Sequence, residues 1–309
     1  MSTIVLLGPQ RFTPTLGEAV AAAGVSGRLV SVTAGWQERE AEDLELHEHL
    51  GERTMNLMLY ARSEDVFERD PDLFAAHRER QGRLRELQRL YRARLAPLRE
   101  SAQRLLDARG DELLLGPERA DAIAALARLD AHHLERIAAV NREFDERWKP
   151  RARPSVRRHR TAIDRLLERA EGICVAGGHV AILINRLRLF GLAERIGGRV
   201  VFAWSAGAMA VAGRIVLFHD APPQGLGAPE VLESGLGLVR GVVPLPHAER
   251  RLRLDHPSRV ELFARRFAPD EPLAFADGAR LVVRDGRFEG AVGVRRLLAT
   301  GALERLEAA

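Results

Sequence analysis

The sequence predicts an α/β fold, a doubly wound and mostly parallel sheet, with an inserted helical hairpin. Two observations carry this prediction: short apolar segments typical of buried strands recur near both ends of the chain, and a long segment between them has helical patterning with few strand formers. With 309 residues, 46% of them hydrophobic and 29% charged, the chain can bury a large core without crosslinks.

The strand-like segments come in two groups. Residues 3–8, 15–24 and 28–33 are predicted as strand, helix and strand, and short apolar strands around a crossover helix indicate a parallel sheet. The same pattern returns after Arg160. The later predicted strands are residues 172–176, 199–203 and 214–218, and a final hairpin joins 280–284 to 289–294 through the Asp285-Gly286 turn.

The intervening segment, residues 37–155, is predicted to be a coiled-coil-like helical insertion. Residues 73–106 and 117–148 repeat leucine or isoleucine at helical spacing, with charged residues on the other face, so they are expected to pack as an antiparallel hairpin. The predicted domains are therefore an α/β domain at 1–36 and 156–309 and the insertion at 37–155.

The composition argues against disulfide-bonded, membrane-spanning and nucleic-acid-binding proteins. Cys174 is the only cysteine, which excludes an internal disulfide or a cysteine-based zinc site. The sequence has no long apolar run and no signal-peptide pattern at its start, so we expect a cytoplasmic protein without a membrane span. The 47 basic residues, all arginine except Lys149, are nearly balanced by 43 acidic ones, and this balance disfavours nucleic-acid binding.

An apolar strand runs directly into a small-residue turn at residues 200–208, with Ser205 at its apex. Small neighbours such as Ala206 and Gly207 permit the sharp strand-to-helix turn that exposes a nucleophilic serine. The backbone N–H groups of such a turn face the oxygen that becomes negative in acyl transfer. The alternative is a structural turn, because Ala203 replaces the first glycine of the Gly-x-Ser-x-Gly pattern.

A second strand end, Ala176-Gly-Gly-His-Val180, opens another helix. In an α/β sheet this is the place where a ligand-binding loop presents free backbone donors. A plain turn that needs two glycines is the alternative.

The two motifs together resemble the serine peptidases that include aspartyl dipeptidase and cyanophycinase, which have the class I glutamine amidotransferase-like, flavodoxin-like fold. The resemblance covers the α/β segments on both sides of the insertion. It implies that Ser205 is the nucleophile of a hydrolytic domain and that the N–H groups of Gly178 and Ala206 bind the oxyanion.

The resemblance also implies a base and an acid. The histidine corresponds to His247 in Val243-Pro-Leu-Pro-His-Ala-Glu249, and the acid of the dipeptidase branch corresponds to Asp220, which would orient the imidazole. Alternatives remain open at both positions. Asp220 also fits a turn before Ala-Pro-Pro, and His219 and His256 compete with His247 for the role of base.

In the family that this chain resembles, cationic residues after the histidine bind the carboxylate of an aspartyl residue in the substrate. Here Arg251, Arg253 and Arg259 occupy that region, and as a group they favour an acidic substrate, although each is also explained as solvated surface. Leu245 and Pro246 depart from the cyanophycinase pattern before the histidine, which disfavours cyanophycin degradation.

The sequence therefore predicts a serine hydrolase of peptidase type that cleaves an amide bond in a small, acidic peptide. Neither a metal nor an organic cofactor is expected, and the pairs His47/His49 and His132/His133 disfavour a metal site because such neighbours diverge on a helix. The alternative is a non-catalytic amidotransferase-like scaffold whose insertion binds a protein or nucleic-acid partner. The insertion could also cover the pocket or build a homo-oligomer.

Overall fold

The computed structural model describes residues 3–218 and 229–307. Its strands are β1 (Thr3–Leu7), β2 (Leu29–Val32), β3 (Thr54–Asn56), β4 (Gly172–Val175), β5 (Val200–Trp204), β6 (Arg214–Leu217), β7 (Glu230–Ser234), β8 (Val242–Pro246), β9 (Glu271–Arg284), β10 (Arg287–Leu297) and β11 (Leu303–Arg305). Within the described ranges, nine of them form one sheet in the order β11-β10-β9-β1-β5-β4-β2-β3, with β8 paired to β9. The neighbouring strands β1, β5, β4, β2 and β3 are parallel to one another. Strand β10 is antiparallel to both of its neighbours, β9 and β11.

Helices cover both faces of this sheet. They are α1 (Leu16–Ala22), α2 (Leu44–His49), α3 (Leu59–Arg69), α4 (Pro71–Asp107), α5 (Glu112–Trp148), α6 (Pro154–Leu167), α7 (Val180–Phe190), α8 (Ala206–Val211), α9 (Ala248–Arg251) and α10 (Pro257–Phe267). The central strand β1 shows the two faces directly: Ile4 and Leu6 enter one hydrophobic cluster, whereas Val5 and Leu7 enter the other. Because side chains alternate along a strand, the sheet is buried on both sides, and the predicted doubly wound α/β fold is confirmed.

The strands differ from the sequence prediction in several places. Strands β7, β8 and β11 were not predicted. Arg214–Leu217 is a strand, as expected, but β6 pairs antiparallel with β7 in a separate two-stranded sheet. The reason is that α8, between β5 and β6, has only six residues, too few for a crossover to a parallel neighbour. The short strand β3 lies inside the segment expected to be helical, and it extends the main sheet by pairing with β2.

The helical hairpin consists of α4 and α5, each 37 residues long. Each helix starts with an aspartate whose carboxylate accepts a backbone hydrogen bond, Asp70 for α4 and Asp111 for α5. The two helices run in opposite directions. Arg83, early in α4, pairs with Glu143, late in α5, whereas Tyr91, later in α4, bonds to Asp130, earlier in α5. The predicted antiparallel hairpin is therefore present.

The hairpin packs on the sheet domain through a buried polar cluster. The guanidinium of Arg266, on α10, donates to both carboxylate oxygens of Asp130, on α5, at 2.7 and 2.8 Å. Tyr91, on α4, donates to Asp130 at 2.7 Å and accepts from the backbone N–H of Val231, on β7, at 3.1 Å. These bonds fix both long helices to α10 and β7. None of the helices in the described ranges has the length and apolar character needed to cross a membrane.

Candidate active site

The sheet brings several chain segments to one edge. The parallel strands β1 and β5 end side by side, with Leu7 in register with Trp204, so the chain leaves both strands next to Ser205. Strand β9 is antiparallel to β1 and parallel to β8. Consequently, the carboxyl ends of β1 and β8 approach the middle of β9, at residues 276–279, from opposite directions. This topology places His247, which follows β8, at the same edge as Ser205.

The turn at Ser205 has the backbone conformation that a nucleophile elbow requires. Its φ of 50° and ψ of −122° are rarely adopted by a residue with a side chain, and such strain concentrates at functional sites. Small neighbours make the turn possible. A Cβ atom added to Gly177 would lie 2.9 Å from the Ser205 Cβ, and one added to Gly207 would lie 2.2 Å from the carbonyl oxygen of Val175.

The hydroxyl of Ser205 faces His247. The distance between Ser205 Oγ and His247 Nε2 is 3.4 Å, although the residues are 42 positions apart. This is longer than an ideal hydrogen bond, but catalytic hydrogen bonds are often long without substrate. His247 has a left-handed conformation, with φ of 59°, directly before α9. The structure thus brings together two of the predicted site residues.

The surroundings of His247 favour its neutral form. Burial lowers the pKa of the imidazole, and the positive charges of Arg251 and Arg250 lower it further, whereas Asp277 raises it. A neutral imidazole can accept the proton of a serine hydroxyl, so the electrostatic environment suits a general base at neutral pH.

The predicted acid of the site cannot be placed next to the serine and the histidine. Asp220 and the competing His219 lie outside the described residues, so their positions stay predictions. Asp277, in the middle of β9, is a carboxylate that sequence reasoning missed, and its charge acts on His247. Its Oδ2 atom accepts a hydrogen bond of 2.7 Å from Arg250. No local motif marks Asp277, because its position depends on the way β9 pairs with both β1 and β8.

The loop of Gly177 and Gly178 lies beside the serine turn. Gly178 has a φ of 109°, and an added Cβ atom would be 2.3 Å from the carbonyl oxygen of Gly35, so only glycine fits there. The following residue, His179, donates its backbone N–H to the same oxygen at 2.7 Å. Gly178 is exposed, and Ala206 begins α8, where helical N–H groups have no partner within their own helix. Both predicted oxyanion donors therefore border the site.

The three predicted substrate arginines occupy different environments. Arg251 is half-buried, burial lowers its pKa, and its charge acts on His247. Arg253 is exposed and lies 2.5 Å from His256, and Arg259 lies over the ring of Phe263 at 6.0 Å. Of the three, Arg251 is therefore the one whose positive charge lowers the pKa of His247.

Three histidines of the other two pairs have structural contacts. His47 bonds to Thr54 at 2.6 Å, and His49 accepts the backbone N–H of Gly17 at 3.0 Å. His133 stacks on Tyr91, with ring centroids 4.1 Å apart. Across the ranges that the structure describes, no group of three or more histidine, cysteine or acidic side chains is arranged to hold a metal ion.

Comparison with known proteins agrees with the fold and the motifs. The model of peptidase family S51 matches residues 124–290, more than half of the chain, and this range includes both Ser205 and His247. A crystal structure of a peptidase from an acI-B1 Actinobacterium is 16% identical, with a TM-score of 0.47, over 100% of this chain and 95% of that chain. No curated protein matches the chain. The resemblance seen in the motifs is confirmed: the chain belongs to peptidase family S51, a family of serine peptidases.

Proposed function

We propose that this protein is a serine hydrolase that cleaves an amide bond in a small, acidic peptide. The observation that carries the proposal is the strained turn at Ser205, with its hydroxyl 3.4 Å from a histidine whose pKa is lowered. Strain at a buried turn and a neutral imidazole within reach are both expected for an activated nucleophile.

In the proposed reaction, Ser205 Oγ attacks the carbonyl carbon of the substrate amide while His247 Nε2 takes the hydroxyl proton. The N–H groups of Gly178 and Ala206 hold the negative oxygen of the tetrahedral intermediate. The imidazolium then gives its proton to the leaving amine, and the C–N bond breaks to leave an acyl-serine. A water molecule, deprotonated by the same histidine, attacks the ester and releases the acid.

Two carboxylates are candidates for the group that orients His247. Asp220 is supported by the family resemblance, and Asp277 by its electrostatic effect on the imidazole. Asn variants at each position decide between them, because loss of the orienting carboxylate leaves the serine in place but lowers kcat by about 10⁴-fold in related chemistry. We expect the large loss from one variant and less than about tenfold from the other.

An acidic substrate is supported by Arg251, next to His247. Within residues 3–218 and 229–307, no carboxylate lies at ion-pair distance from this half-buried guanidinium, and burial lowers its pKa. A substrate carboxylate would supply the missing negative charge and bind the planar guanidinium at two points. Arg253 and Arg259 would contribute through the general positive charge of this region.

A fluorophosphonate probe tests the proposal without knowledge of the substrate. We expect the probe to modify Ser205 in the folded protein, with mass-spectrometric mapping of the site, and not in heat-denatured protein or Ser205→Ala. His247→Asn should abolish labelling, whereas His256→Asn, at the competing histidine, should retain it. Absence of labelling at Ser205 in the folded wild-type protein would contradict the proposal and favour the non-catalytic scaffold.

The division into an α/β domain, 1–36 with 156–309, and an insertion, 37–155, remains part of the proposal. We propose a structural role for the insertion, supported by the buried contacts of Tyr91 and Asp130 with the sheet domain. Homo-oligomer formation through the insertion is a further hypothesis, which sedimentation of the purified protein tests directly.

A further inference from the structure

The loop after β1 carries an exposed aromatic residue at the edge of the sheet where the candidate site lies. Phe12 is 68% exposed, the most of any described phenylalanine. The loop is nevertheless held in place by Gln10, whose Oε1 accepts the backbone N–H groups of Thr15 and Leu16, both at 2.8 Å. Its amide nitrogen also donates to the carbonyl oxygen of Gly8 at 3.1 Å. The exposed ring is therefore presented by a fixed loop.

Two guanidinium groups flank the ring. The Cζ atoms of Arg11 and Arg250 lie 5.6 and 5.5 Å from the centroid of Phe12, within the range of cation–π contacts. Arg250 also donates to Asp277 at 2.7 Å, and the charge of Asp277 acts on His247. Phe12 is thus connected to the surroundings of the candidate base through a single arginine. Most of its surface stays open despite these contacts.

The position of Arg250 indicates which part of a substrate would meet Phe12. In acyl transfer the histidine gives its proton to the leaving amine, so the leaving residue passes beside the histidine and can meet side chains that lie near it. Arg250 follows His247 by three residues in α9 and reaches Phe12 from there. An apolar side chain on the leaving residue would bury its own surface and that of the open ring.

We propose that Phe12 is a specificity-determining residue that favours an apolar or aromatic side chain on the leaving side of the scissile amide. This inference rests on the proposed hydrolase function. Arg250 is the partner that holds the ring in place.

The test compares Asp-Phe and Asp-Gly dipeptides with wild-type protein and Phe12→Ala. We expect the wild type to prefer Asp-Phe in kcat/KM and Phe12→Ala to reduce that preference by about tenfold. Phe12→Leu, which keeps an apolar side chain, should retain most of it. Leu114→Ala is the matched control. Leu114 is 70% exposed, much like Phe12, but it lies in the first turn of α5 and not in the loop after β1.

Protection of Ser205 from the fluorophosphonate by the same two dipeptides gives a second readout that does not require turnover. Labelled wild-type protein that shows no difference between Asp-Phe and Asp-Gly, in hydrolysis or in protection, would overturn the inference. An unchanged preference in Phe12→Ala would overturn it too. Wild-type protein that fails to label at Ser205 would instead contradict the proposed hydrolase function, so the two failures are distinguishable.

Discussion

Arg266 and Asp130 form a two-point ion pair between α10 and α5, 136 residues apart, with side chains that are 2% and 3% exposed. Removing one partner of such a pair leaves an uncompensated charge in the protein interior. We therefore expect Asp130→Ala to lower the free energy of unfolding by about 3–5 kcal/mol, measured by urea denaturation.

The control for this prediction is the exposed ion pair between Arg83 and Glu143, which links α4 to α5 within the hairpin. Exposed pairs contribute little to stability because water already solvates both charges. Glu143→Ala should therefore shift the urea midpoint far less than Asp130→Ala. Equal shifts in the two variants would show that the buried pair has no special role in docking the hairpin.

The sequence carried different amounts of information about different residues. The Ser205 turn could be predicted because its requirement for small neighbours is local, and Ala206, Gly207 and Ala208 are adjacent in sequence. The pairing of Arg266 with Asp130 could not, since most of the 47 basic residues are arginines and nothing local selects one acidic partner.

Asp277 and Phe12 were missed for a related reason. Asp277 reaches the site only because β9 continues past the end of β8 to pair with β1, a property of sheet topology. Phe12 is an isolated aromatic residue of a loop in the sequence, and the contact with Arg250 on which its proposed role rests is seen only in the folded chain. Residues that act through long-range pairing leave no periodic or spacing signal.

The pH dependence of hydrolysis should depend on the charges around His247. Only the neutral imidazole accepts the serine proton, so kcat/KM falls as pH drops through its pKa, which burial and Arg251 lower. Arg251→Gln removes a positive charge and should raise that pKa, which moves the acidic limb of the profile to higher pH. Asp277→Asn removes a negative charge and should move it to lower pH.

Rates of Ser205 labelling between pH 4.5 and 8 measure both shifts without a known substrate. Glu304→Gln, a charge change on β11, is the control and should leave the profile in place. Shifts of the same sign in Arg251→Gln and Asp277→Asn would contradict the electrostatic account of His247.

Acid sensitivity of the fold should depend on His77, on α4. Burial and the charges of Arg80 and Arg186 lower its pKa to about 3, and its ring lies 4.8 Å from that of Phe67. Between that pKa and the ordinary histidine value, the unfolded chain binds the proton and the folded protein does not. Stability from this residue is therefore complete above about pH 6.5 and falls as pH drops, by at most about 1.4 kcal/mol per pH unit.

Urea denaturation at pH 5 and pH 7.5 measures this effect. His77→Asn, which cannot titrate, should show a smaller difference in unfolding free energy between the two pH values than wild-type protein. His132→Asn alters an exposed histidine of α5 and should behave as wild type. An unchanged difference in His77→Asn would mean that other groups carry the acid sensitivity.

The candidate oxyanion loop should tolerate no side chain at Gly178. Alanine there keeps the N–H donor, but its Cβ atom would lie 2.3 Å from the carbonyl oxygen of Gly35, and the φ of 109° is strained for any residue with a side chain. The loop must move to relieve this contact, and the donor moves with it. Loss of one oxyanion donor lowers kcat by about 10²–10³-fold in a serine protease of another fold, so we expect labelling of Ser205 to slow by about that factor. Gly82→Ala, in α4, meets no atom within 4 Å and should leave labelling unchanged while stabilising the helix by up to about 1 kcal/mol. Wild-type labelling in Gly178→Ala, at unchanged thermal stability, would remove this loop from the proposed mechanism and leave Ala206 as the remaining predicted donor.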